Sequence, residues 1–142
     1  MKLLRISGIF GLTAPAVLLL SVLAAVSTST TFSWSGNALS DLGTQAGSDT
    51  LFNTGLTVAG ALVAVFSVGM IATLRKSKTG ILASLFLLLE AIALAGIGIF
   101  TENTMELHIT FAVAFFALTA VTRILFAIYF FNGNLRFGVR CR

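Results

Sequence analysis

Two ionisable residues stand in stretches where a charge is costly. Glu90 is the midpoint of the apolar run Gly80–Phe100, and Arg123 lies eight residues before the end of another, Leu107–Phe131. A charge near the centre of a bilayer costs about 2.5–3.5 kcal/mol on insertion scales, so such residues normally face protein or water. A hairpin between the two runs brings Glu90 level with Ala117. Arg123 is then about 9 Å deeper, at a rise of 1.5 Å per residue. An extended arginine side chain covers most of that gap. Arg123 also shares its helix face with Ala112, Thr119 and Ala127, which fits an inward orientation. The competing arrangement has Arg123 snorkelling to the inner headgroups, with Glu90 protonated or bonded to the first or second apolar run. Either way, a buried polar contact that fixes helix register is the plainer role, and a proton relay or transport step the sharper one.

A second constellation lies outside these runs: Asp41, Glu102, Glu106 and His108, with Asn37, Ser40 and Asn53 near them in the topology. Carboxylates and one imidazole on a common rim have the chemistry to hold a metal or to move protons. Their spacing does not single out either use. Glu106 and His108 are two residues apart and point to different sides of a helix, and helix caps with a solvated rim explain the same residues. The chain has no HExxH, no phosphate-binding glycine loop, no nucleophile elbow and no intramembrane histidine pair. No cofactor and no metal is expected from the sequence.

The elements that must position these groups are four apolar runs, Ile6–Val26, Leu51–Leu74, Gly80–Phe100 and Leu107–Phe131. Each reaches the roughly 20 residues that a membrane-spanning helix needs. Composition agrees: 57% of the 142 residues are hydrophobic and 10% charged, with a mean hydropathy of +1.02. Residues 1–142 are therefore read as one polytopic domain, an all-α four-helix transmembrane bundle in contact with the lipid bilayer. The first run also has features of a secretory signal, a basic start followed by an apolar core and small residues at Ala24, Ala25 and Ser27. Its length points instead to a retained span.

The net charge of +4 would point to nucleic acid in a soluble chain. Here eight of the nine basic residues fall before the first run, between the second and third, or after the fourth. The segments Ser27–Thr50 and Thr101–Glu106 have none, and hold Asp41, Asp49, Glu102 and Glu106. By the positive-inside rule both termini and the Arg75–Lys78 loop are cytoplasmic, an N-in/C-in topology in the cell membrane with no nucleic-acid partner. The single cysteine, Cys141, reads as a free thiol in a tail.

The second run carries the clearest pattern. Asn53, Thr57, Gly60, Ala64 and Ser67 recur at intervals of four and three, which places them on one seam of a helix. In lipid, small residues let helices approach and Asn or Thr hydrogen-bond across them. The third run has a second small face that includes Ala91, Ala95 and Gly98. Two such seams exceed the need of one bundle in which each helix has two neighbours. The surplus predicts association with other membrane subunits or with copies of the chain. Pro15 predicts a kink in the first run. The outer segment predicts a short helix ending at a Gly43 cap, Ser48 or Asp49 capping the second run, and Asn103 with Glu106 forming a capping box for the fourth.

Several short motifs together resemble a known family. They are Leu39-Ser40-Asp41-Leu42-Gly43, then Leu51-Phe52-Asn53-Thr54-Gly55 opening a glycine-rich helix, then Gly98-Ile99-Phe100-Thr101-Glu102 followed by Leu107-His108. They are similar to the prokaryotic membrane family called domain of unknown function 998, over about Ser33–Phe131. The resemblance implies a helical bundle in which outward-facing Ser40, Asp41 and His108 carry a role, and it supplies no activity. Three functions fit the sequence: a non-catalytic accessory subunit of a membrane complex, a lipid- or solute-handling protein with an outward polar pocket at Asp41, Asn53, Glu102 and His108, and an enzyme acting on a lipid headgroup there. Mild-detergent purification separates them, because a stoichiometric protein partner marks the first, and tightly held lipid or metal the others.

Overall fold

The computed structural model describes residues 2–140, with side chains for residues 5–132. Cys141 and Arg142 lie outside the described residues, as do the side chains of Lys2, Arg136 and Arg140. Four α-helices follow one another: α1 (Lys2–Thr28), α2 (Asp49–Thr73), α3 (Lys78–Ile99) and α4 (Met105–Arg140). No strand occurs among the described residues. All four helices are long and apolar enough to cross a bilayer, which marks a multi-pass membrane protein. The helices begin two to four residues before the apolar runs, and α4 continues nine residues beyond its run. Helical hydrogen bonding does not need an apolar side chain, so a helix does not stop where hydropathy falls.

The helices run antiparallel in chain order, and each packs on its sequence neighbours. Gly69 and Gly55 of α2 lie against Ser7 and Ser21 of α1. A β-carbon on Gly60 of α2 would meet Ala95 N at 2.7 Å and Ala91 O at 2.8 Å, so only glycine allows the α2–α3 approach at this point. Gly98 of α3 lies against the backbone of Asn53 and the hydroxyl of Thr57, and Phe111 of α4 covers Gly96. Packing is extensive between α1 and α2, α2 and α3, and α3 and α4, while α1 and α4 are not packed together. The bundle is therefore a curled row with one open side. Buried residues concentrate on the two middle helices.

The small seam expected to remain free is used inside this row. Gly60, Ala91, Ala95 and Gly98 all meet at the α2–α3 contact, with Ala64 half-buried and Ser67 fully buried. The surplus surface does not exist at these residues, because α2 and α3 each pack on two helices and need two small faces. The second small face of α2, Gly55 and Gly69 against the serines of α1, was not legible as a seam in the sequence.

The connection between α1 and α2 folds into a lid. Its centre is a 3₁₀ helix, Leu39–Gly43. Leu42 is fully buried in a core cluster with Ala25, Phe52, Leu56, Leu94 and Ile97. Gly43 is not a left-handed cap, and the chain's one positive-φ residue among those described is Gly47. Gly43 is required by proximity instead, since a β-carbon there would stand 2.6 Å from Asn53 Oδ1. Ser48 precedes α2, but its hydroxyl donates to Leu42 O at 2.9 Å and makes no cap bond. A 3₁₀ turn, Glu102–Thr104, precedes α4, so Thr104 and not Asn103 occupies its N-cap position. Ser77 does cap α3, accepting from Gly80 N at 3.2 Å.

Candidate functional site

Of the polar groups at this end of the bundle, Asp41 and Asn53 are bound into the lid. Asp41 Oδ2 accepts from Asn37 Nδ2 at 2.8 Å and from Ala38 N at 3.1 Å, which closes the start of the 3₁₀ helix. Asn53 Nδ2 donates to Gly43 O at 2.8 Å and ties the lid to α2. His108 is buried, with Nδ1 2.8 Å from Phe100 O, and so links α4 to the end of α3. Glu102 is half-buried in the turn before α4. The lid helix touches that turn, which puts Asp41 and Glu102 at the same end of the bundle. Among the described residues no three His, Cys, Asp or Glu side chains stand close enough to hold a metal. Asp41, Asn53 and His108 thus have local partners that hold the outer end together.

The intramembrane charges meet. Glu90 Oε1 accepts from Thr119 Oγ1 at 3.0 Å and from Arg123 Nη2 at 3.2 Å. The geometry has a backbone cause. In an α-helix each Cα–Cβ bond tilts toward the helix N-terminus. In antiparallel helices Glu90 therefore leans toward the Lys78 end and Arg123 leans the opposite way, and the two tilts close the axial offset between them. Glu90 is 6% exposed and Arg123 62% exposed at the side chain. Glu90 Oε2 is buried with no hydrogen-bond partner among the described residues. Along α3, Glu90 lies about 18 Å from Lys78 and about 14 Å from Ile99, at 1.5 Å per residue. A bilayer core is about 30 Å thick, so a spanning α3 carries Glu90 close to its midplane.

The open side of the bundle exposes this pair to a cavity of about 280 Å³. Ala14 and Leu18 of α1 form one wall, Phe115 and Arg123 of α4 the other, and Val63 and Phe66 of α2 lie between them with Glu90 of α3. The cleft exists because α1 and α4 do not pack on each other. Apart from Arg123 and Glu90 the lining is apolar; Arg123 is its exposed cation, and among the described residues only its Nη2 is engaged. A guanidinium has five N–H donors in a fixed fork, so most of its hydrogen-bonding capacity is unused at the cleft wall. A neutral group with an acceptor, or an anion, fits that position, and an apolar chain fits the walls.

Sequence reading placed Glu90, Arg123 and Thr119 on facing helices but did not find the α1 wall. Gly11, Ala14 and Leu18 are spaced by three and four residues, the signal that marked the α2 seam. In α1 the surrounding leucines and the helix kink expected at Pro15 obscured it. Pro15 itself lines the cleft. Its missing amide leaves α1 continuous from Lys2 to Thr28.

Residues 12–140 match the family described as Protein of unknown function (DUF998). The match covers most of the chain, which belongs to this family. No curated protein and no solved structure matches it.

Proposed function

We propose that this DUF998 protein handles a lipophilic ligand in the cell membrane, with both termini in the cytoplasm and the ligand entering the α1–α4 cleft laterally from the bilayer. The observation that carries this reading is Arg123. Its side chain is 62% exposed at a depth where an uncovered cation is costly, and it faces an apolar cavity of about 280 Å³. That volume is near the lower end of small-molecule sites, about 300–1,000 Å³. An intramembrane charge that faces a cavity is a functional-site hypothesis by default. The outer polar pocket is not the basis of this reading, because Asp41 and Asn53 hold the lid and His108 links α4 to α3.

The test is extraction of the full chain in a mild non-ionic detergent, followed by mass spectrometry of what remains bound. A stoichiometric lipophilic molecule that is lost on Leu18→Trp, which fills the cleft wall, supports the reading. Retention of the same molecule by that variant would place it elsewhere and refute the cleft as its site. A second reading, an accessory subunit whose partner helix seats in the cleft, draws on the same exposed guanidinium. It requires a protein of fixed stoichiometry to co-purify and to dissociate when Leu18 is enlarged.

A further inference from the structure

We infer that the cleft binds a long-chain carboxylic acid, whose carboxyl group bridges Arg123 and Glu90 while its chain lies along the apolar walls. This rests on the cleft being a ligand site, as proposed above, and it names the ligand class from the unfilled hydrogen-bonding capacity there. Arg123 presents donors, since Nη2 alone is used and that by a single bond to Glu90 Oε1 at 3.2 Å. Glu90 lines the same cleft, and its one unpartnered acceptor is enclosed beneath the surface, so a ligand reaches it only by displacing the packing over it. Both of its hydrogen bonds fall on Oε1, while Oε2 is buried without a partner. A carboxylate has about four lone-pair sites across its two oxygens, so the pair lacks a donor for Glu90 and an acceptor for the guanidinium. A single group that supplies both is a protonated carboxyl: its carbonyl oxygen accepts from Arg123 and its O–H donates to Glu90.

Depth selects among amphiphiles. Glu90 lies about 14–18 Å along α3 from either helix end, near the centre of the bilayer. Bringing a permanently ionised phosphate headgroup to that depth carries a large desolvation cost. A neutral carboxylic acid has no net charge to desolvate and arrives with both its donor and its acceptor. The cavity is also small, about 280 Å³, which suits one chain with a compact head better than a two-chain lipid. Phe66 and Phe115, with Leu18, provide the apolar surface for that chain. The open side between α1 and α4 lets it enter without passing through the lid.

The experiment uses the purified full chain in dodecyl maltoside and tritiated palmitic acid as probe. Saturable binding near one per chain is expected, displaced by unlabelled palmitic acid and at least tenfold less well by methyl palmitate, which lacks the O–H donor. Arg123→Gln should weaken binding at least tenfold. Arg123→Lys should recover part of it, because a point charge still attracts but lacks the fork. Leu18→Trp leaves the ion pair intact and should block the chain, with helicity and elution volume unchanged for all three variants. Equal competition by methyl palmitate would overturn the acid assignment while leaving a lipophilic site in the cleft. Displacement of the label by dioleoyl phosphatidylglycerol in mixed micelles at concentrations at least tenfold below those needed of unlabelled palmitic acid would assign the site to a phosphate-bearing lipid and overturn the inference in the same way. Binding unchanged by both Leu18→Trp and Arg123→Gln, or no saturable binding of any probe, would remove the cleft as a ligand site and end both proposals.

Discussion

Removing one member of the Glu90–Arg123 pair should cost unequal amounts, and the inequality follows from where the bonds lie. Arg123→Gln takes the only cation from a carboxylate that is 6% exposed and leaves it with Thr119 alone. Glu90→Gln keeps an acceptor at Oε1, so both existing bonds can persist without the charge. Breaking buried pairs in soluble proteins costs about 3–5 kcal/mol, while cross-helix hydrogen bonds in membranes average about 0.6 kcal/mol with a maximum near 1.7. The bond here is single rather than bidentate, and Arg123 is 62% exposed, which argues for the lower part of that span. We expect about 2 kcal/mol for Arg123→Gln and about 1 kcal/mol for Glu90→Gln. The double variant should lose about 1.5 kcal/mol, less than the sum of the two, because no unpaired charge remains. At about 2–4 °C per kcal/mol, the arginine variant loses about 4–8 °C in Tm. Thermal unfolding should be followed by far-ultraviolet circular dichroism in detergent. The single tryptophan, Trp34, is 70% exposed on the lid and would not report on the bundle centre. Strict additivity, or a larger loss for Glu90→Gln than for Arg123→Gln, would refute the reasoning.

Gly60→Ala should lower Tm by several degrees, since its new methyl would press on the backbone of Ala91 and Ala95 and overpacking costs about 1–3 kcal/mol; an unchanged Tm would show that α2 and α3 can separate freely there. Asn53→Ala removes the 2.8 Å bond to Gly43 O, worth about 1 kcal/mol. Amide exchange at Gly43–Gln45 should then quicken while helix content stays constant, and an unaltered exchange rate would mean that Leu42 alone anchors the lid. For topology, Ser35→Cys in a Cys141→Ser background should react with an impermeant maleimide on intact cells and Lys76→Cys should not. The reverse pattern would invert the bundle in the membrane.

The sequence by itself determined the four helices, their antiparallel order and the alternation of charge between the two ends. It did so because a span must be long, apolar and internally hydrogen-bonded, and those demands are local. It also placed Glu90 and Arg123 on consecutive helices at depths within reach of each other. What it did not determine is which faces meet. In lipid the side of a helix that touches a neighbour and the side that touches acyl chains are both apolar, so hydropathy carries no sign of direction. Only small and polar residues carry such a sign, and Asn53, Thr57 and Gly60 did point α2 toward α3. They did not reveal that a second small face of α2, Gly55 and Gly69, takes α1. The tertiary structure also decided that α1 and α4 stay apart, and this turns a buried ion pair into one wall of a cleft. The same holds at the outer end. Asp41, Asn53 and His108 look like a polar rim in the sequence, but in the fold backbone groups of Ala38, Gly43 and Phe100 lie within 3.1 Å of them. Backbone groups have no signature in a sequence, so side chains that satisfy them are indistinguishable there from side chains waiting for a ligand.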